Sequence, residues 1–271
     1  INSSLSLKDS LNVLSYNSNL TIPKEDISEV ETTQDNPSVV PKTTDEQKDT
    51  SQSKDDGKNN KAESSDKKTE EKSEDKKVKS TGKRVYIYDT HQDESYKGGK
   101  TVLDAAAILA QKLEDRGIKV VLETNDFIRY RDTHGLTYNE SYVVSYKYLN
   151  EALVNYGGFD MCLDLHRDSI PREASYINID GKNYAKGMFV VGGLGKNAKT
   201  ATKLSTTLTD TINAKKNGIM KGVMTREAYY NQEVAKNIVL MELGGDVNTF
   251  EEVSNSLDVI ADGIHDVLTK E

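Results

Sequence analysis

"RVYIYDTHQDESY", residues 84–96, is the stretch on which the fold turns. Val85 and Ile87 alternate with Tyr86 and Tyr88, the pattern of a buried β-strand. The apolar run stops abruptly, and Asp89-Thr90-His91-Gln92-Asp93-Glu94 follows without a Gly or Pro to make the turn. Such a strand either runs into an ordinary solvated loop or aims an imidazole and a carboxylate at something.

Outward from this strand the text alternates. "TVLDAAAILAQKLEDRG" (101–117) reads as a helix, with Val102, Leu103, Ala106, Leu109, Ala110 and Leu113 near one face and Gly117 as its stop. "IKVVLE" (118–123) is a second strand, and "TNDFIRYRDTHG" (124–135) a polar connection. "YNESYVVSYKYLNEALVNYGG" (138–158) is a helix expected to start near Asn139, and "FDMCLDL" (159–165) a third strand. Asp180-Gly181 sits between two alternating segments, the signature of a hairpin. "NAKTATKLSTTLTDTINAKK" (197–216) is a third helix and "NIVLMEL" (237–243) another strand. The closing helix, 249–270, has Thr249 and Glu252 spaced as a capping box. Strand–helix alternation of this kind predicts an α/β fold: a single three-layer αβα domain over 84–271 with a mostly parallel sheet and helices on both faces.

The rest of the chain has a different composition. Of 271 residues, 30% are charged and 35% hydrophobic, and the deficit of apolar residues is concentrated before Arg84. Residues 1–83 hold no Phe or Trp and one Tyr, Tyr16. "TTDEQKDTSQSKDDGKNNKAESSDKKTEEKSEDKK" (43–77) has too little apolar surface to offset the entropy of ordering it. Residues 1–83 are therefore expected to be a low-complexity, largely disordered spacer. Leu5, Leu7, Leu11 and Leu14 suggest at most a short docking helix near its start. The first residue is Ile rather than Met, and we expect a signal or anchor segment upstream. A net charge of -8 without basic–aromatic interleaving argues against nucleic acid. A single cysteine, Cys162, excludes an intrachain disulfide and is expected to be packed and inert.

Three predicted strands end in chemistry. The first runs into His91 and Glu94, the third into Asp164-Leu165-His166-Arg167-Asp168, and the last ends in Glu242-Leu243-Gly244-Gly245. Parallel strands present their carboxyl ends along one edge, where ligands bind. Residues far apart in sequence then meet. Two neutral imidazoles and a carboxylate suit one catalytic zinc ion, so His91, Glu94 and His166 are the candidate metal ligands. Glu242 is the candidate catalytic carboxylate, taking a proton from water and returning it to a leaving nitrogen. A carboxylate inside "VLMELGG" is costly unless it meets a partner or an opening. A cation beside it is expected to depress its pKa. Asp89 and Asp168 are candidates to fix the ring orientations. His134, Arg167, Arg172 and Arg226 are weaker candidates for substrate contact, as is one of Arg129 and Arg131. Strand-end histidines are also common as hydrogen-bonded surface residues, and HxxE occurs by chance. On the residues alone two readings stand, a metal hydrolase and a non-catalytic binding domain.

"VYIYDTHQDESY", "FDMCLDLHRDSIPR", "YYNQ" and "LMELGGDVNT" together resemble the stage II sporulation protein P family of cell-wall hydrolases, in order and across nearly all of 84–271. The resemblance implies an amidase-like fold and zinc on His91, Glu94 and His166, with Glu242 as the catalytic carboxylate. Asp89 departs from the His common in that family. The resemblance also implies a peptidoglycan substrate, cut as an N-acetylmuramoyl-L-alanine amidase with an additional endopeptidase activity. It implies an extracytoplasmic site of action at the septal membranes during engulfment, a membrane anchor upstream, and stage II sporulation proteins D and M as partners. A non-catalytic wall-binding or scaffold module is the alternative.

Overall fold

A computed structural model describes residues 78–270. The expected spacer and the Leu5–Leu14 segment lie, up to residue 77, outside the described residues. Six strands form one sheet: β1 (Arg84–Tyr88), β2 (Lys119–Leu122), β3 (Met161–Asp168), β6 (Gly187–Gly192), β7 (Met220–Arg226) and β8 (Ile238–Gly245). Their order across it is β2-β1-β3-β8-β6-β7. Every pairing in it is parallel except β6 with β8. β4 (Tyr176–Ile179) and β5 (Lys182–Ala185) form the separate predicted hairpin. Asp180 and Gly181 make its turn, both with positive φ, 54° and 79°. Backbone of that kind matches the twist of the flanking strands. The α/β architecture read from the sequence is therefore the observed one.

The helices are α1 (Val102–Glu114), α2 (Phe127–Thr133), α3 (Ser141–Tyr156), the four-residue α4 (Arg172–Ser175), α5 (Ala198–Lys215) and α6 (Phe250–Thr269), with a 3-10 turn at Tyr138–Glu140. The predicted cap of α6 is present: Thr249 Oγ1 accepts from the Glu252 amide, and Glu252 Oε2 accepts from the Thr249 amide at 3.1 Å. Gly157, with φ 68°, ends α3.

Four elements escaped the sequence reading: α2, the short α4, β6, which the hairpin reading did not separate from its second segment, and β7. The polar connection after β2 holds α2, which is nucleated by Asp126 accepting from the Arg129 amide at 2.8 Å and pinned by buried Phe127. β7 was not expected as a strand. It lies at the sheet edge, carries Lys221 and Gly222 in its middle, and is mostly half-buried. Two boundaries also moved. β3 continues through His166 to Asp168, and β8 through Gly245, so the polar residues are strand residues rather than loop residues.

Side chains alternate across the sheet and divide the core in two. Val85 and Ile87 of β1, Met161, Leu163 and Leu165 of β3, and Val239, Met241 and Leu243 of β8 pack with α1, α5 and α6. Tyr86, Tyr88, Cys162 and Ile238 face the other way, toward Phe127 of α2 and Val144, Leu149 and Ala152 of α3. Cys162 is fully buried, and burial pushes its thiol up to about 12. It is the inert core residue expected.

Candidate active site

Strand parity decides which face carries the chemistry. On the α3 side, β3 reads Cys162, Asp164, His166 and β8 reads Ile238, Leu240, Glu242. His166 and Glu242 are register partners on neighbouring parallel strands, and Asp164 lies beside Tyr88 at the end of β1. The loop after β1 then brings Asp89, His91 and Glu94 over the same edge. All three are buried, as are Asp164 and His166.

The contacts are specific. His166 Nδ1 lies 3.4 Å from Glu94 Oε2, and its Nε2 lies 3.0 Å from Asp164 Oδ1, though outside hydrogen-bond alignment. The His91 ring sits edge-on to the His166 ring at 5.4 Å between centroids. Tyr138 stacks on the other side of His91 at 4.3 Å, and Tyr142 meets it edge-on at 5.5 Å. Glu94 also accepts from the Arg167 amide at 2.9 Å, while the Arg167 side chain donates to the Ser95 carbonyl at 3.0 Å. Asp164 accepts from the Thr90 amide at 2.9 Å and from the Thr90 hydroxyl at 2.7 Å. Asp164, rather than Asp89 or Asp168, is thus the carboxylate set against an imidazole nitrogen.

The electrostatics follow from burial and crowding. Burial pushes the His91 imidazole down to about 3, helped by neighbouring His166, so it is neutral at pH 7. Burial opposes charge on His166 as well, but Asp164 and Glu94 on either side hold it well above the usual imidazole range. Burial raises the Asp89 carboxyl, and nearby Asp164 raises it further. Glu242 is pushed up to about 8, first by burial and then by Glu94, Asp168 and Asp164, against the pull of His166. The depressed carboxyl expected for a site with its cation is therefore not a property of the protein groups alone.

Four carboxyl groups, those of Asp89, Glu94, Asp164 and Glu242, thus crowd two imidazoles. Both Asp89 oxygens, Glu242 Oε2 and His91 Nδ1 are sealed from solvent without a hydrogen-bond partner. Buried acceptors in that state are costly unless a donor or a cation meets them. Among the described residues, no three or more His, Cys, Asp or Glu side chains are arranged, as they stand, to hold a metal ion. Of the three assigned ligands, Glu94 and His166 approach each other closely and His91 packs alongside. Their donor chemistry is that of a zinc site.

The weaker candidates fall elsewhere. His134 caps the end of α2, exposed, with Nδ1 2.8 Å from the Tyr130 carbonyl and its ring stacked on Tyr130. Arg172 forms a two-point ion pair with Glu252 and lies 3.8 Å over the Tyr176 ring. Asp168 lies 3.6 Å from Lys221. Arg226 ends β7 opposite Gly192. Of the helix-α2 arginines, Arg131 reaches Tyr138, 5.7 Å from its ring, and Asp93 at 3.9 Å. Sequence reasoning missed Asp164, Tyr138, Tyr142 and Tyr230, whose ring lies 5.7 Å from that of Tyr142. Asp164 was legible, two residues before His166 on one strand and hence on its face. The tyrosines were not, because their approach depends on how α3 and the loop after β7 fold over the sheet.

A sequence profile described as stage II sporulation protein P matches residues 6–265. The stage II sporulation protein P of Bacillus subtilis (strain 168) is 31% identical over 207 residues, 69% of this chain and 50% of that protein. The chain therefore spans about half the length of that curated relative. Among solved structures, the N-acetylmuramoyl-L-alanine amidase AmiC2 of Nostoc punctiforme is similar with TM-score 0.47 and 15% identity, covering 71% of this chain and 99% of that one. The CwlD amidase from Clostridioides difficile, in complex with the GerS lipoprotein, is similar with TM-score 0.48 and 16% identity, covering 68% and 94%.

Proposed function

The chain belongs to the stage II sporulation protein P family, and on that premise we propose that it is a zinc-dependent peptidoglycan hydrolase, an N-acetylmuramoyl-L-alanine amidase. The observation that carries the reading is the set of sealed, unpartnered acceptors beside two imidazoles at the ends of β1, β3 and β8. His91, Glu94 and His166 would hold the ion. When bound, zinc supplies Lewis acidity toward the scissile carbonyl and makes water a stronger acid.

The protein groups have separable roles in this reading. Neutral His91 is ready to donate a lone pair. Asp164, itself held by Thr90, lies 3.0 Å from His166 Nε2, placed to orient the ring from that side and leave Nδ1 toward Glu94. Glu242, at about 8 in the protein alone and lower beside a cation, takes a proton from the attacking water on its carboxylate. It returns that proton to the amide nitrogen as the C–N bond breaks, so the carboxylate is regenerated. Tyr138 and Tyr142 wall the imidazoles from bulk water.

Family membership supports the finer parts of the proposal: a second, endopeptidase cut, action on septal wall during engulfment, and work beside stage II sporulation proteins D and M. Residues 1–83, charged and poor in apolar side chains, suit a tether that lets an enzyme anchored by an upstream segment sample a fixed mesh. Among the described residues no helix is long and apolar enough to cross a membrane. The test is digestion of purified sacculi with and without chelator, read by mass spectrometry. An amidase frees stem peptides bearing an L-alanine amine, in a zinc-restorable way. Binding to sacculi without any product would identify a wall-binding module instead.

A further inference from the structure

Tyr230 and Asn231 are consecutive non-glycine residues in the left-handed region, with φ 54° and 55°. That conformation is sparsely populated for side-chain-bearing residues and persists only where the surroundings over-determine it. They do so here. Asn231 is fully buried and donates to the Tyr142 carbonyl at 2.9 Å and to Ser145 Oγ at 3.0 Å. Gln232 accepts from the Gly192 amide and donates to the Val190 carbonyl, both at 2.9 Å. Gly192 lets the turn come close, since a Cβ there would lie 2.5 Å from the Tyr229 carbonyl oxygen.

The anchors also tie the turn to the candidate site. Ser145 Oγ lies 2.9 Å from the Thr90 hydroxyl, which bonds Asp164, which in turn lies against His166. A continuous buried polar chain thus runs from the strained turn to a candidate ligand. What the turn presents is the Tyr230 ring. It packs on Leu240, which shares a face of β8 with Glu242, and on Tyr142, whose ring stacks at 6.4 Å on that of His166. The Tyr230 hydroxyl has no hydrogen-bond partner among the described residues, and it is not one of the sealed, unpartnered atoms. Tyr230 is buried apart from 7% exposure, and Leu240 and Tyr142 are what link it to Glu242 and His166. Burial raises its phenol above the usual range.

The geometry points to Tyr230 as a substrate-contacting residue whose hydroxyl donates a hydrogen bond to an amide carbonyl oxygen of the peptide stem. This rests on the peptidoglycan-amidase reading above. A neutral phenol suits such a contact, because it donates without adding charge to a crowded site, and a rigid ring costs little to hold in place. Strain concentrated in the turn that carries it is the expected cost of such placement.

The test is Tyr230→Phe in the full chain, which keeps the ring and removes only the hydroxyl. Three quantities are measured against wild type: melting temperature, kcat/KM on a soluble disaccharide–peptide muropeptide, and Kd for that muropeptide by calorimetry in the Glu242→Gln background. The expected result is an unchanged melting temperature, a fall of roughly three- to tenfold or more in kcat/KM, and a roughly three- to tenfold weaker Kd. Equal kinetics and equal affinity would overturn the role of Tyr230 while leaving the amidase reading intact. Should wild type release no product, the amidase reading fails and the affinities still decide. Weaker binding by the Phe variant supports the contact, and equal binding or none by either protein removes it.

Discussion

The two faces of the sheet are built by the same strands and differ in everything else. Toward α1, α5 and α6, strands β1, β3 and β8 turn Val85, Ile87, Met161, Leu163, Leu165, Val239, Met241 and Leu243, all essentially without exposure. Toward α3, one residue further along each strand, β3 presents Asp164 and His166 and β8 presents Glu242. The first face is a dry, close-packed layer whose stability scales with apolar area. The second gives up that area for buried charge, which is costly unless function uses it. A period of two lets one strand serve both ends without compromise.

That division can be broken at either face. The largest effect is expected from Glu242→Gln, which removes the proposed proton carrier. Sacculus digestion should fall by about 10²- to 10⁴-fold, with no loss of melting temperature. In metal-free protein the variant should gain on wild type as pH rises. The folded Glu242 carboxyl, raised to about 8 from 4.5, keeps its proton where the unfolded chain has lost it. Wild-type stability is therefore progressively lost between those values. On the dry face, Leu163→Ala should cost roughly 2–5 kcal/mol in denaturant unfolding. Its kcat, measured below the melting transition, should stay unchanged.

Asp164→Asn sharpens the comparison, because it alters the reactive face beside His166 without replacing a proposed ligand. Zinc affinity or turnover should drop by roughly 10- to 100-fold, with secondary structure retained by circular dichroism. Arg172→Gln separates structure from substrate binding. The Glu252 carboxylate, held below its usual range by Arg172, Asn248 and the Thr249 amide against the opposing effect of burial, loses its principal partner. We expect about 1–3 kcal/mol of destabilisation at neutral pH and an unaltered KM. A depressed carboxyl stabilises above its unfolded pKa, so the deficit should shrink as pH falls below 4.5. His134→Ala, at the exposed end of α2, should move activity by less than about twofold and stability by no more than about 0.5 kcal/mol.

These expectations also mark what the sequence made legible. Alternation of tyrosines with Val and Ile in β1, capping at Thr249 and the Asp180-Gly181 turn are local signals, and each produced its element. The gathering of His91, Glu94, His166 and Glu242 at one edge followed from parallel topology. The face they occupy followed from parity, which also singles out Asp164. What local pattern could not supply was the edge strand β7, where Lys221 and Gly222 interrupt any alternation. Nor did it supply the tyrosine wall. Tyr138 and Tyr142 come from the start of α3 and the turn before it, Tyr230 from the loop after β7, and their gathering beside the imidazoles is a product of tertiary packing.

Zinc titration of the chelator-treated full chain, with His166→Ala alongside, asks the central question outright. One ion bound per wild-type molecule and none by the variant is the result the strand-end site requires. Absence of binding by wild type, or equal uptake by both proteins, would contradict it.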